Sequence, residues 1–246
     1  EITNFLVENK KTEWVATCSG KWDLIVGYLV KDVYEFNEAL KELDEKYSQF
    51  ILSREITVIL GVPHWRKEYL LENKEHYPFV QQGNKKENVK INEKDEEIIK
   101  MLVNNARIPI VELATKLKMT PRIINYRIKD REKEKIILMN RVFLDLNKFN
   151  WIYCKTLLRF KNLNQDKYKK FFYHCSNLKN ITYMINCIGS WDIELDFEIE
   201  NFNEFHKIMS EMRNQFSDII KSYDFVVVMN EDKLDYYPGA YPKIKD

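Results

Sequence analysis

From Trp191 to Ile199 apolar and acidic residues alternate without a break. Trp191, Ile193, Leu195, Phe197 and Ile199 fall on one face, and Asp192, Glu194, Asp196 and Glu198 on the other. A period of two predicts a strand with its apolar face on a core. The acidic face is expected to stay in solvent and to resist sheet-to-sheet contact through like-charge repulsion. The period then changes: Phe202, Phe205, Ile208, Met209 and Met212 recur at helical spacing and predict a helix over 202–215. Upstream, 152–161 is β-rich, 165–175 is helical in spacing, and 181–188 reads as a strand ending at Gly189. FVVVM at 225–229 supplies a last strand. The order β-α-β-β-α-β is the split ferredoxin-like pattern, an α+β fold with both helices on one face of an antiparallel sheet.

The same pattern occurs twice. At an offset of 169 positions, and with no gap from 14 to 60, Cys18 falls on Cys187, Gly20 on Gly189, Trp22 on Trp191, Asp23 on Asp192, Phe36 on Phe205 and Val58 on Val227. A repeat this long is a folded domain, not a solenoid blade. Residue 1 corresponds to position 170, midway along the first helix of the second copy. The first strand of the first copy is therefore expected upstream, in a natural chain extended by about 80 residues that carries another helix-turn-helix. In the first copy Ile25, Gly27 and Leu29 stand where the second has Glu194, Asp196 and Glu198. That apolar second face predicts burial against another sheet, with the counterpart in a second chain as the expected partner, the alternative being cover by the chain's own linker.

Between the copies the pattern breaks into a polar linker around Gly83 and then becomes helical again. Asn92 precedes Glu93, Asp95, Glu96 and Glu97, a cap followed by first-turn carboxylates. A second helix follows Pro109, and Thr120-Pro121 opens a third through RIINYRIKDREKEK. Three short helices with a tight break before the last predict a helix-turn-helix. At about 100° per residue, Ile124 and Ile128 mark the buried stripe of the third helix. Arg122, Asn125, Tyr126 and Lys129 lie on the far side, where they can reach base edges in the major groove. Arg127 sits at the boundary, suited to a phosphate or a structural contact, with Lys118 near phosphates and Thr120 as the cap.

Charge adds to this. The chain has 246 residues and a net charge of +1. Between 116 and 135, however, eight basic residues face three acidic ones, and between 176 and 230 nine acidic residues face four basic ones. The helical segment is thus the one built to meet an anion. Cys18, Cys154, Cys175 and Cys187 form no C-x-x-C, and two are repeat equivalents in apolar strands, which favours buried thiols in a reducing cytoplasm. The sequence has no membrane-length apolar run. His64, His76, His174 and His206 have no metal-ligand spacing, and no phosphate-binding loop or nucleophile elbow occurs. No enzyme, metal or cofactor is expected.

INEKDEEIIKMLVNNARIPIVELATKLKMTPRIINYRIKDREKEKII resembles the helix-turn-helix of the leucine-responsive regulator/AsnC (Lrp/AsnC) family. The residues that carry the likeness are Asp95, Ala106-Arg107-Ile108, Glu112-Leu113-Ala114, Leu117, Thr120, Ile124, Tyr126, Arg127 and Ile128. The family pattern continues into a hinge strand, matched by 141–146, and a βαββαβ domain with a G-x-Tyr-Asp turn, here G-x-Trp-Asp in both copies. Arg131 and Lys135 stand where the family usually has Leu and Gly, and an inward Arg131 calls for a looser helix pack or a partner carboxylate.

The resemblance implies a transcriptional regulator that binds double-stranded DNA and assembles as a homo-oligomer through its α/β domains. It also implies an amino-acid-like effector at Gly20, Asp23, Gly189 and Asp192, residues whose local role is to shape tight turns. The domains expected are 1–62, a ferredoxin-like unit incomplete at its N-terminus; 63–90, a linker; 91–138, a winged or plain helix-turn-helix; and 139–246, hinge strand, second unit and tail. Two alternatives remain: a non-catalytic partner of the transcription machinery with a vestigial helix-turn-helix, and an enzyme resembling sirohaem decarboxylases.

Overall fold

The structure, a computed structural model, describes residues 1–65, 67–70, 79–83 and 90–237. In chain order its elements are α1 (Ile2–Glu8), β1 (Thr12–Gly20), β2 (Leu24–Tyr28), α2 (Val33–Tyr47), β3 (Thr57–His64), β4 (Val80–Gln82), α3 (Glu93–Asn104), α4 (Ile110–Lys116), α5 (Pro121–Lys133), β5 (Ile152–Phe160), α6 (Gln165–Ser176), β6 (Ile181–Gly189), β7 (Ile193–Ile199), α7 (Phe202–Gln215) and β8 (Ile220–Leu234). Short polar side chains start the long helices by accepting otherwise unpaired amides. Asp32 takes Tyr34 N–H and Glu35 N–H, Asn164 takes Lys167 N–H, and Asn201 takes Glu204 N–H.

The second copy has the complete ferredoxin-like order β8-β5-β7-β6, embedded in one eight-stranded sheet, β2-β1-β8-β5-β7-β6-β3-β4. The first copy contributes both flanks. Its β1 runs antiparallel to β8 from Trp14↔Leu234 to Gly20↔Val226, and its β3 runs antiparallel to β6 from Thr57↔Gly189 to His64↔Tyr183. The second strand of each copy thus pairs with the fourth strand of the other, as an isologous two-fold contact requires. Here the two-fold is internal to one chain.

α6 and α7 cover one face of the second copy, where Cys154, Leu158, Leu195 and Phe197 meet Phe171, Phe205, Met209 and Met212. The opposite face corrects the expectation from sequence. Glu194, Asp196 and Glu198 are not in solvent; they are 6%, 3% and 6% exposed. The alternation was right, but burying charge is tolerable when it is paired. Lys155, on the adjacent strand, donates to Glu194 at 2.7 Å and ion-pairs with Asp196 at 2.7 Å. Tyr153 donates to Asp196, and Lys67 and Tyr69 hold Glu198. Burial opposes the charge on Lys155, but the two carboxylates outweigh it and hold the ammonium above its ordinary pKa.

The apolar face of the first copy is half-buried, and not against a second sheet. Ile25 packs with Ala16, Cys18, Val226, Val228 and Tyr153, so its cover comes from within the one eight-stranded sheet, in part from the chain's own second copy. Leu29, offered with Ile25 as an interface residue, is 40% exposed. The last strand runs from Ile220 to Leu234, well beyond 225–229, because its far half pairs with β1. No hinge strand forms at 141–146: that segment has no ladder partner, and Arg141 instead meets His64 Nδ1 at 2.9 Å and donates to the Tyr183 hydroxyl. All four cysteines are buried free thiols. The linker expected at 63–90 contributes the end of β3 and β4, and most of its remainder lies outside the described residues.

Candidate nucleic-acid interface

α3, α4 and α5 enclose a small core of Ile98, Leu113, Ala114 and Ile124, with Leu102, Leu117 and Ile128 packed against it. Asn92 caps α3 through Asp95 N–H at 3.0 Å, and Thr120 caps α5 through Ile123 N–H at 3.3 Å, with Pro121 in the first turn. The break between α4 and α5 is a Schellman turn: Met119 N–H reaches Ala114 O at 2.9 Å and Lys118 N–H reaches Thr115 O at 3.3 Å. Lys118 occupies the left-handed position at φ 52°, and Lys135 repeats the arrangement after α5 at φ 59°. Both are places where glycine is the unstrained residue. Lys118 is therefore a turn residue first, with its exposed side chain leaving the site at the foot of α5.

Arg122, Asn125, Tyr126 and Lys129 are all exposed on one side of α5, with Tyr126 at 68%. Thr120 is exposed at the same end. Arg127 does not join this group. Its guanidinium donates to Asp95 at 2.7 Å and to Asn92 at 3.2 Å, which turns it toward α3 and away from a phosphate. Asp95 is 2% exposed, so its charge needs partners, and Arg131 approaches it as well at 3.8 Å. The departure at Arg131 is thus answered by a carboxylate. Asp95, Arg127 and Arg131 form the clamp between the first and third helices; helical angle left Arg127 open between a phosphate and a structural contact, and the structural contact is the one formed.

The two G-x-W-D turns share one geometry: Cys18 N–H meets Asp23 O at 2.8 Å, and Cys187 N–H meets Asp192 O at 2.8 Å. Gly189 at φ +141° lies where a Cβ would meet Ile56 O at 2.5 Å, and Gly20 at φ +121° where one would meet Phe225 O at 3.2 Å. Each glycine is set by close approach of a strand from the other copy. The Asp192 carboxylate accepts Phe160 N–H at 2.7 Å. One carboxylate oxygen is thus engaged by its own sheet, and the side chain is half-buried. Asp23 is exposed.

The sequence reading missed a polar cluster where the helix-turn-helix joins the sheet. A cavity of about 20 Å³, room for one water, lies between Val142–Leu144 and the sheet, lined also by Lys67, Arg141, Tyr153, Tyr183, Glu198 and Glu231. Beside it His64 is buried, and burial with the neighbouring Arg141 lowers its pKa to about 4. Tyr183 contacts Tyr236 at 3.2 Å, and Lys100 of α3 lies over the ring of Tyr237. The end of β8 thereby leads to the first helix of the reading head. No described helix is long and apolar enough to cross a membrane, and no group of His, Cys, Asp or Glu among the described residues is arranged to hold a metal ion.

Residues 91–137 match the winged helix-turn-helix DNA-binding family pattern. A crystallised AsnC family transcriptional regulator from Agrobacterium tumefaciens superposes with a TM-score of 0.53 at 17% identity, covering 59% of this chain and 95% of its own. A transcriptional regulator from Neisseria meningitidis, crystallised in complex with L-Met, gives 0.53 at 17% identity, covering 60% of this chain and 96% of its own. In fold, the chain is Lrp/AsnC-like. A crystal structure of the siroheme decarboxylase NirDL, in complex with an iron-uroporphyrin III analogue, superposes over 98% of this chain and 70% of its own, with a TM-score of 0.63 at 9% identity. The regulators match the Lrp/AsnC-like chain over a share equal to one helix-turn-helix plus one α/β domain, whereas this likeness takes in both copies. No curated protein matches the chain by sequence.

Proposed function

We propose that this Lrp/AsnC-like chain is a transcriptional regulator that reads double-stranded DNA with α5. The observation that carries the proposal is the separation of roles on that helix. Arg127 is bound inward to Asp95, and Arg131 is engaged by Asp130 and Glu134 with Asp95 farther off, while Arg122, Asn125, Tyr126 and Lys129 face solvent. Guanidinium and carboxamide groups can engage guanine and adenine edges, Lys129 a base edge or phosphate, and Lys118 a phosphate. An amino-acid-like effector at Gly20, Asp23, Gly189 and Asp192 and assembly into an oligomer belong to this reading through the resemblance.

Binding to genomic DNA fragments, titrated at several salt concentrations, tests it. Arg122→Ala with Lys129→Ala is expected to weaken the best site by about 2–6 kcal/mol while leaving the fold intact by circular dichroism. Lys118→Ala should weaken all sequences alike and flatten the salt slope. Unchanged affinity in the double variant would show that α5 does not read DNA.

A second reading, a tetrapyrrole-modifying enzyme, is favoured by one observation, the likeness to NirDL across both copies. At 9% identity that likeness carries the fold. A visible-spectrum titration with an iron tetrapyrrole separates the readings, since a saturable band shift is expected only of the second.

A further inference from the structure

Two strained residues bracket the reading helix. Lys118, ahead of α5, and Lys135, behind it, hold φ 52° and φ 59°, a conformation costly for an L side chain and easy for glycine. Each lies in a Schellman turn: Met119 N–H reaches Ala114 O and Ile136 N–H reaches Arg131 O, both at 2.9 Å. Both lysines are exposed. Strain kept at an exposed position points to a use for the side chain.

A row of side chains joins the two ends. At about 100° per residue, Arg122, Tyr126, Lys129 and Lys133 fall within about 60° of one another. All four are exposed. The acids of the segment are kept off that row. Arg131 takes up Asp130 and, at 2.8 Å, Glu134, and Glu132 stands on the flank. The row is therefore cationic from end to end, with Tyr126 within it. From Arg122 to Lys133 the helix rises about 16 Å, whereas the major groove of B-DNA is about 12 Å wide. Laid across the groove, such a row reaches both walls.

We propose that Lys133 and Lys135 clamp phosphates on the strand opposite the one that Lys118 meets, so that α5 crosses the major groove from backbone to backbone. The base-reading side chains then lie between the two anchors. Ammonium groups suit the anchoring role, because phosphate contacts fix register and orientation without carrying sequence information. The clamp deepens the reading of DNA by α5 and rests on it.

The genomic fragment that the parent chain binds best is the probe, titrated at several salt concentrations. Lys133→Ala with Lys135→Gly is expected to weaken every sequence roughly tenfold and to flatten the slope of log K against log salt by about 1.8, since each lost phosphate contact accounts for about 0.9. Base preferences should stay those of the parent. Lys135→Gly alone should raise the thermal midpoint while weakening binding, a split that a merely structural lysine would not give. Single methylphosphonates placed along each strand locate the contacts: the double variant should lose its sensitivity on one strand, and Lys118→Ala on the other. Sensitivity lost on the same strand in both would overturn the crossing. Unchanged affinity and slope in the double variant would overturn the clamp. In that case a loss in Arg122→Ala with Lys129→Ala leaves the reading by α5 standing, and no loss there removes both. A parent chain that binds no fragment also removes both. If the double variant misfolds, Lys133→Gln with Lys135→Asn is read in the same way.

Discussion

At the three positions where β7 buries Glu194, Asp196 and Glu198, the first copy has Ile25, Gly27 and Leu29. The tryptophan beside each set shows what this divergence costs. Trp191 Nε1 donates to Glu194 at 2.8 Å, while Trp22 Nε1, with Ile25 in place of that carboxylate, is buried with no hydrogen-bond partner among the described residues. The cation that balances Glu194 and Asp196, Lys155, comes from β5 of the same copy, whereas Glu198 is held by Lys67, outside that copy. One copy thus carries three acids and one of their two cations into the interior, and the other supplies apolar cover. Two domains related by sequence have become complementary surfaces instead of interchangeable ones.

The largest expected break in this comparison is Lys155→Met. It leaves Glu194 and Asp196 buried against each other and is expected to cost about 3–5 kcal/mol in urea unfolding, with partial recovery when Glu194→Gln and Asp196→Asn are added. An unchanged midpoint would mean that water already reaches the cluster. Gly189→Ala should come next. The added Cβ presses on backbone at Ile56 and Thr57, for a loss of about 3 kcal/mol, against roughly 1–2 kcal/mol for Gly20→Ala, whose nearest contact is looser. Equal losses would show that the two crossings are equally tight.

The same substitution at the two tryptophans should then separate in sign. Trp191→Phe leaves Glu194 short of a donor and should cost about 1–3 kcal/mol, whereas Trp22→Phe removes an unpaired N–H and should be neutral or mildly stabilising once its packing loss is counted. Thermal unfolding of both resolves this. The smallest effect lies outside the copies: Lys118→Gly and Lys135→Gly each relieve a left-handed lysine and should raise stability by about 0.5–1 kcal/mol. Lys118→Gly should at the same time weaken DNA binding if its side chain meets phosphate.

Much of this fold can be read from local pattern. The helix at 202–215 was bounded correctly because its apolar spacing and its Asn201 cap are both written in adjacent residues. The helix-turn-helix was legible for the same reason. What failed was non-local. Alternation along β7 reveals two faces but cannot say whether the polar one meets water or a buried cation; Lys155, a lone charge within an apolar strand, was the available clue. The far half of β8 looked like a tail because NEDKL is too polar for a strand on its own, and its partner β1 lies more than two hundred residues away. At the site, exposure on α5 followed from helical angle, whereas the inward turn of Arg127 depended on Asp95 one helix pair earlier.

The pairing of Trp14 with Leu234 also bears on the order in which the molecule assembles. On a ribosome, β1 emerges more than two hundred residues ahead of the half of β8 it pairs with, so the first copy must wait for that length of chain before its sheet edge is covered. The reading head between them relies on contacts within about fifty residues and can fold at once. Loop closure between β1 and β8 is then the slow step. Until it is complete, the half-built first copy is the segment most exposed to misassembly with neighbouring nascent chains.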